Sequence, residues 1–228
     1  MNPSCNCEKC ELKGIFIGHL RETDIETFCA QKTEKHFSKG EIIIEQGADI
    51  SEFTYLKDGL VKLFRKADGE KEQIIAIAKP FDFVSLLSVF SEKKYNYSVT
   101  AIEDSIICIL DLDFIKNIIG SNGVLALNIL EKMSKAGDNI IVNMLNIRQK
   151  QLRGRIAYIL IYFADKIYAN TTFDLPISRK EIAEYIGMTT ENVIRILSEF
   201  RQDRIIRING KTIEIADMER LKAISNFG

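Results

Sequence analysis

Apolar residues recur at different spacings in different parts of this chain of 228 residues. From residue 36 to residue 111, short apolar runs alternate with turn residues, including the pairs Asp58-Gly59 and Asp68-Gly69. Asp-Gly pairs are typical of tight hairpin turns, and strands at about ten-residue intervals are typical of an antiparallel roll or barrel. The pattern therefore predicts a β-roll in the first half of the chain.

A long stretch without proline follows, from Gly123 to Arg153, and its apolar residues are spaced for one long helix. A set of six residues recurs in alternating steps of three and four, which is the spacing of a heptad seam. Because two of the six are small, a second helix can approach closely, and we expect this face to pair two copies of the chain. The alternative is a helix that packs only against its own roll. The predicted seam consists of Leu127, Leu130, Ser134, Gly137, Ile141 and Met144.

Between Leu175 and Ile215 the pattern predicts two short helices followed by a hairpin. Ser178 and Glu181 have the spacing of a capping box, which marks the start of a helix. Gly187 favours the left-handed conformation in which helices end. Helix, glycine turn and helix together make a helix-turn-helix, whose second helix enters the major groove of DNA.

The second helix is expected to begin at a threonine cap, Thr189 or Thr190, and to bury an apolar stripe. Strand-like runs over residues 205–208 and 212–215 surround Asn209-Gly210, a strong signal for a hairpin. We interpret this hairpin as a wing. The buried stripe consists of Val193, Ile196, Leu197 and Phe200.

The outward face of the second helix carries groups that can read the edges of bases. Arginine binds O6 and N7 of guanine with a bidentate fork, and a carboxylate accepts from the amino group of cytosine. Glu191 and Arg195 lie four residues apart on one face, so we expect them to read adjacent base pairs. The alternative is an ordinary ion pair between them on a solvated helix. The residues expected to contact DNA are Ser178, Arg179, Lys180, Thr189, Thr190, Glu191, Asn192, Arg195 and Lys211, of which the serine, Arg179 and the two lysines face phosphates.

Composition and charge fit a soluble protein of more than one domain rather than a basic coat for nucleic acid. The chain is 46% hydrophobic and 28% charged, and its net charge is −1. No apolar run approaches the roughly 20 residues that span a bilayer, and no signal-peptide pattern opens the chain. We therefore expect a cytoplasmic protein without a membrane partner. Since common hydrolase, P-loop and metalloprotease motifs are absent, we do not expect an enzyme.

The run SRKEIAEYIGMTTENVIRIL followed by INGKTIEI resembles the DNA-binding domain of the Crp/Fnr family of bacterial regulators in order, spacing and wing. The preceding strands resemble the cyclic-nucleotide-binding roll of that family, so the likeness spans nearly the whole chain. It implies an α+β fold with an N-terminal antiparallel β-roll of the jelly-roll type, a long dimerisation helix and a C-terminal winged helix-turn-helix. We expect these parts to span residues 1–120, 121–152 and 153–228, the first of them including a cysteine-rich segment.

The resemblance also implies roles for individual residues of the second helix. Glu191 and Arg195 would contact bases, with Arg195 reading guanine in a TGA-like core. Thr190 and Ile194 differ from the residues that other members carry at these places. These two differences leave the flanking bases of the half-site open.

Family members that bind a cyclic nucleotide carry a Gly-Glu-Leu segment and an Arg-Ser pair whose arginine grips the phosphate. This chain has Ser85-Leu86-Leu87 and Tyr95-Asn96 at those places. A buried phosphodiester needs a cation or a nest of amide groups, and these side chains supply no cation. A cyclic nucleotide is therefore not the expected effector.

Four cysteines are candidate metal ligands. Cys5, Cys7 and Cys10 lie close together, and Cys108 matches the strand position of a distant cluster ligand in the oxygen-sensing members of the family. Three close thiolates suit an iron–sulfur cluster or zinc when a fourth ligand arrives from elsewhere in the fold. However, those sensors typically space the N-terminal ligands as C-x2-C-x5-C, which only Cys7 and Cys10 match in part. The alternative is a metal-free tail with reactive thiols, and Cys29 and Cys108 as small buried residues.

The sequence thus predicts a sequence-specific DNA-binding regulator of transcription that acts as a homodimer on an inverted repeat. It would contact RNA polymerase if it activates transcription, and its roll would receive an effector or a redox signal. Two alternatives stay open, a DNA-binding protein whose roll is only a scaffold and a haem-based gas sensor. His19 and His36 are the two histidines that haem could use.

Overall fold

The computed structural model describes residue 28, residues 30–66 and residues 72–227. Within these residues the chain divides into two compact units. The first unit comprises the described residues up to Arg65 together with Ala76–Asn139. The second unit comprises the described residues of Lys66–Ile75 together with those from Ile140 onward.

Short strands rich in β-branched and aromatic residues form a roll in the first half of the chain, as the alternating pattern predicted. In the described residues they make two antiparallel sheets, with the strand orders β1-β7-β3 and β2-β6-β4-β5. The longest register pairs Glu52 with Asp111 at one end and Asp58 with Ile106 at the other. The strands are β1 (Thr33–Phe37), β2 (Ile42–Ile44), β3 (Glu52–Asp58), β4 (Val61–Lys66), β5 (Glu72–Ala78), β6 (Ser98–Ala101) and β7 (Ser105–Asp111).

Aromatic side chains fill the core of the first unit. The Phe83 ring lies 5.2 Å from the Phe53 ring and 6.2 Å from the Tyr55 ring, measured between centroids, and all three residues are buried. Burying a side chain of this size stabilises a fold by roughly 1.5–3 kcal/mol. Consequently the interior of the roll, as far as it is described, is packed with the protein's own side chains.

The turn between β3 and β4 is one of the two predicted Asp-Gly turns, and it requires its glycine. Gly59 has a φ of +88°, and a Cβ atom there would lie 2.4 Å from the carbonyl oxygen of Asp104. A side chain at position 59 would therefore clash with the backbone that leads into β7. The other predicted pair, Asp68-Gly69, lies outside the described residues.

Two helices follow the roll, α1 (Leu112–Ser121) and α2 (Gly123–Gln149). One face of α2 packs on the core of the roll through Leu125 and Ile129, which are buried. Neither α2 nor any other helix in the described ranges combines the length and the apolarity needed to cross a membrane.

The prediction of one long helix is confirmed, but its predicted end at Arg153 is wrong. Helix α2 ends at Gln149, and α3 (Leu152–Tyr162) begins after the extended residue Gln151. The side chain of Arg155 donates from Nε to the carbonyl oxygen of Lys150 at 2.9 Å, which satisfies an acceptor that a continuing helix would have used.

The remainder of the chain alternates short helices with a small sheet. A π-helical turn (Phe163–Tyr168) extends α3, and the sheet has the order β8-β10-β9. Its elements are β8 (Thr172–Asp174), α4 (Arg179–Ile186), α5 (Thr190–Gln202), β9 (Ile206–Asn209), β10 (Thr212–Ile215) and α6 (Met218–Phe227). The predicted fold class, a β-roll, a long helix and a helical domain with a hairpin, is confirmed.

Candidate DNA-binding site

Helix α4 begins and ends where the sequence signals placed it. The Ser178 hydroxyl accepts from the N–H of Glu181 at 3.2 Å, and the Glu181 carboxylate accepts from the N–H of Ser178 at 2.8 Å. Gly187 adopts a φ of +67° and ends the helix. The capping box and the glycine turn are both confirmed.

Helix α5 is capped by Thr189, the first of the two threonines considered. Its hydroxyl accepts from the N–H of Asn192 at 3.3 Å, which satisfies one of the unpaired donors at the start of the helix. The predicted apolar stripe is buried to at least 97% at every position, so α5 has one fixed inward face. The stripe residues are Val193, Ile196, Leu197 and Phe200.

The wing is the hairpin of β9 and β10, whose first strand begins one residue later than predicted. Its turn includes Gly210 at a φ of +61°. Phe173 of β8 pairs with Ile213 of β10, so β8 adds a third strand to the sheet of the wing. Sequence reasoning missed β8 because a strand of three residues has no readable alternation.

Cationic side chains predicted to face phosphates lie at the start of α4 and at the tip of the wing. Arg179 donates from Nη2 to the carbonyl oxygen of Gly210 at 3.1 Å, which ties the two elements together. Lys211 pairs with Asp174 at 2.9 Å, although its side chain is still 74% exposed. Lys180, next to Arg179, is exposed as well.

The outward face of α5 presents a carboxylate and a guanidinium to solvent. The pKa of Glu191 is lowered by a hydrogen bond from its own backbone N–H and then by one from Thr189, so its carboxylate is ionised at neutral pH. Arg195 does not pair with Glu191. It donates from Nη1 to Glu199 and, at 3.4 Å, from Nη2 to Asn192.

Arg155, which the sequence analysis did not identify, donates hydrogen bonds to the turn of the helix-turn-helix. Besides its bond to Lys150, Arg155 donates from Nη1 to the carbonyl oxygens of Ile186 and Gly187, at 3.2 and 3.1 Å. The turn between α4 and α5 is thereby connected to the residue that follows α2. No local sequence signal marks this contact, because its partners lie more than thirty residues further along the chain.

The large apolar residues of the predicted seam are exposed along α2. Leu127, Leu130, Ile141 and Met144 are between 41% and 67% exposed, which is unusual for large apolar side chains. Ser134 is exposed beside them, and Gly137 is half-buried. Within the first unit, α2 contacts the core through Leu125 and Ile129, which leaves Leu127 and Leu130 available to a second helix.

The residues at the expected phosphate position of the roll take part in its packing. The Ser85 hydroxyl accepts from the N–H of Thr54 at 3.0 Å, and Leu86 is buried in the core. Tyr95 is buried and donates from its hydroxyl to the carbonyl oxygen of Glu52 at 3.3 Å. These three side chains therefore take part in the packing and hydrogen bonding of the roll.

The candidate metal ligands are divided between described and undescribed parts of the chain. Cys5, Cys7 and Cys10 lie outside the described residues, and burial raises the pKa of the Cys108 thiol to about 11. Among the described residues, no group of three or more histidine, cysteine or acidic side chains could hold a metal ion.

Two sequence families match this chain in the order of its two halves. The cyclic nucleotide-binding domain matches residues 34–122, and the Crp-like helix-turn-helix domain matches residues 154–224. Together they cover more than half of the chain. The chain belongs to the Crp/Fnr family of transcriptional regulators. Members of this family are DNA-binding regulators and not enzymes, in agreement with the sequence expectation.

Similar Crp/Fnr proteins span nearly the full length of this one. The transcriptional activator protein FnrA of Stutzerimonas stutzeri is 26% identical over 226 residues, which are 96% of this chain and 92% of FnrA. The anaerobic regulatory protein of Pasteurella multocida is 23% identical over 227 residues, which are 96% of this chain and 82% of that protein. The structure of FixK2 from Bradyrhizobium japonicum has the same fold, with a TM-score of 0.77 and 22% identity over 85% of this chain and 96% of FixK2.

Replacing Arg155 with methionine should lower the free energy of unfolding of the second unit by about 2 kcal/mol. The three carbonyl groups that it binds are partly exposed and can bind water instead, so the three bonds together are worth about as much as one buried hydrogen bond from a charged donor. Urea unfolding and hydrogen exchange of the amides in residues 187–193 measure the effect. Arg207→Met is the matched control, because Arg207 pairs only with the Glu214 carboxylate on the neighbouring strand. Equal unfolding midpoints for the two variants would contradict the role given to Arg155.

Proposed function

We propose that this Crp/Fnr protein is a homodimer that binds an inverted repeat and reads each half-site with one α5 helix. The observation that carries the proposal is the division of α5 into two faces. One face is buried in the second unit, while Glu191, Ile194 and Arg195 are exposed on the other. A helix held in this way and flanked by a wing has the arrangement of a recognition helix.

The exposed groups of α5 match the chemistry of the major groove. The Arg195 guanidinium can donate two hydrogen bonds to a guanine, and the ionised Glu191 can accept from a cytosine amino group. Ile194, which is 55% exposed, is placed for apolar contact with a thymine methyl group. Arg179, Lys180 and the other cations of the site would contact phosphates and set the register.

The exposed seam of α2 supports the dimer. Large apolar side chains at heptad spacing favour a partner helix with the same spacing, and an inverted repeat requires two recognition helices related by a twofold axis. If this regulator activates transcription, RNA polymerase is a further partner. The same geometry therefore accounts for self-association and for the symmetry of the DNA site.

The input that we propose is a redox signal and not a cyclic nucleotide. Core packing and hydrogen bonds occupy the side chains of Ser85, Leu86 and Tyr95, and none of them brings a cation for a phosphate. A redox signal is supported by the name of one relative, an anaerobic regulatory protein. It is also supported by the close spacing of Cys5, Cys7 and Cys10 in the sequence, because cysteine thiols can be oxidised reversibly.

Selection of bound sequences from a random duplex pool tests the assigned readout. The wild-type protein should enrich an inverted repeat with a guanine in each half-site, and Arg195→Ala should lose the preference for that guanine while other positions are kept. Repeating the selection with and without oxygen tests the redox input in the same assay. An identical enriched sequence for wild type and variant would contradict base reading by Arg195.

Replacing Ile141 with glutamate should weaken the dimer, because two carboxylates would be buried in the seam without partners. Sedimentation should show a shift from about twice the chain mass of 26.0 kDa toward the single chain. Asn139→Glu is the control, since it adds the same charge at an exposed position outside the seam. A dimer of undiminished affinity in Ile141→Glu would show that the interface lies elsewhere.

A further inference from the structure

Glu199 lies one helical turn beyond Arg195 and is held by two arginines. Its Oε1 accepts from Nη1 of Arg195, and its Oε2 accepts from Nη1 of Arg153. Both carboxylate oxygens are thus committed, each to a different guanidinium. Arg153 belongs to the first turn of α3 and is 46 residues away along the chain.

Arg153 is itself fixed by groups on two sides. Its guanidinium lies 5.1 Å from the centroid of the Phe200 ring, and Phe200 is completely buried. Its Nη2 binds Asp203 at 3.2 Å, and Arg220 donates to the carbonyl oxygen of Asp203 at 3.1 Å. A guanidinium stacked on a buried ring and bound to two carboxylates provides a fixed point for Glu199.

We propose that Glu199 is a positioning residue for the base-reading guanidinium of Arg195, and that Arg153 fixes Glu199 in place. This inference rests on the proposed function, since it assumes that Arg195 reads a base. An exposed arginine loses rotamer freedom when it binds, and a side chain already held in one conformation loses less. Glu199 therefore favours specific binding without touching DNA.

The hydrogen-bonding capacity of Arg195 allows both contacts at once. A guanidinium has five N–H donors, of which Glu199 and Asn192 each accept one. Enough donors remain for a bidentate fork to guanine, which needs two. Binding to a base does not require Arg195 to leave Glu199.

The charge balance is also compatible with DNA. A carboxylate alone on this helix would repel phosphates, but Glu199 lies between two arginines. The connected ion pairs comprise Arg195, Arg153 and Arg220 with Glu199 and Asp203, and together they carry a charge of +1. The Glu199 side chain is 29% exposed, whereas that of Arg195 is 55% exposed, so the cation is the more accessible member of the pair. Glu199 can orient Arg195 without presenting its own charge to the duplex.

If Arg195 and Glu199 formed only an ordinary surface ion pair, the geometry would be the same, but breaking the pair would have a different effect. Exposed pairs of this spacing contribute little to folding, so losing the pair would leave stability and base preference nearly unchanged. A positioning role instead changes the discrimination between bases at one position of the half-site. Base discrimination is therefore the informative measurement.

The test compares full-length wild type, Glu199→Gln and Glu199→Ala on the selected inverted repeat and on repeats that carry a single base change in each half-site. Discrimination against replacing the guanine assigned to Arg195 should fall roughly threefold to tenfold in Glu199→Ala, which is part of the value of a bidentate contact. The discrimination of Glu199→Gln, which keeps an acceptor, should lie between the values for wild type and Glu199→Ala. Arg153→Met should also lower the discrimination at this position. Discrimination at other positions should remain at the wild-type level.

Glu219→Ala is the control, since it removes one carboxylate from an exposed ion pair on α6 and should leave discrimination unchanged. If Glu199→Ala discriminates as well as wild type while Arg195→Ala does not, the positioning role is overturned and base reading by Arg195 stands. An equal loss at every base pair would also overturn it, because that result indicates a structural role. Wild-type preference in Arg195→Ala would overturn both the inference and the proposed readout.

Discussion

The burial of one face of α5 is the constraint on which the rest of the DNA-binding unit depends. Phe200 and the three other stripe residues are almost inaccessible to solvent, so the rotation of the helix about its own axis is fixed by packing. With 3.6 residues per turn, this rotation places Glu191, Ile194 and Arg195 on the opposite side. The apolar residues of the inward face therefore determine which side chains of α5 face outward.

Polar contacts refine what packing establishes. Arg155 links the turn of the helix-turn-helix to the residue after α2, and Arg153 links the first turn of α3 to Glu199 on α5. Each contact is partly exposed, so it contributes less to folding than the four buried residues of the stripe do together. Their effect is on orientation, and a DNA-reading helix depends on orientation because a base contact is made over a narrow range of distances and angles.

Local signals in the sequence predicted the elements of the site well, and contacts between distant residues were not predicted. The Ser178–Glu181 box, Gly187 and the Asn209-Gly210 turn could be recognised because each involves neighbouring residues. The bond from Arg195 to Glu199 was not predicted, because Glu191 and Glu199 are equally spaced from Arg195 along the helix and the second contact of Glu199, to Arg153, joins residues 46 positions apart. The end of α2 at Gln149 escaped prediction for the same reason, because a side chain from the next helix satisfies the carbonyl group there.

The most direct test of the central claim, that α5 reads guanine through Arg195, removes the acceptor from the DNA and not the donor from the protein. Substituting 7-deazaguanine for guanine eliminates N7 while leaving Watson–Crick pairing intact. In the assigned half-site position, this substitution should weaken wild-type binding by roughly tenfold, consistent with the loss of one bond of a bidentate pair, and should leave Arg195→Ala unaffected. Equal sensitivity of the two proteins to 7-deazaguanine would contradict the account.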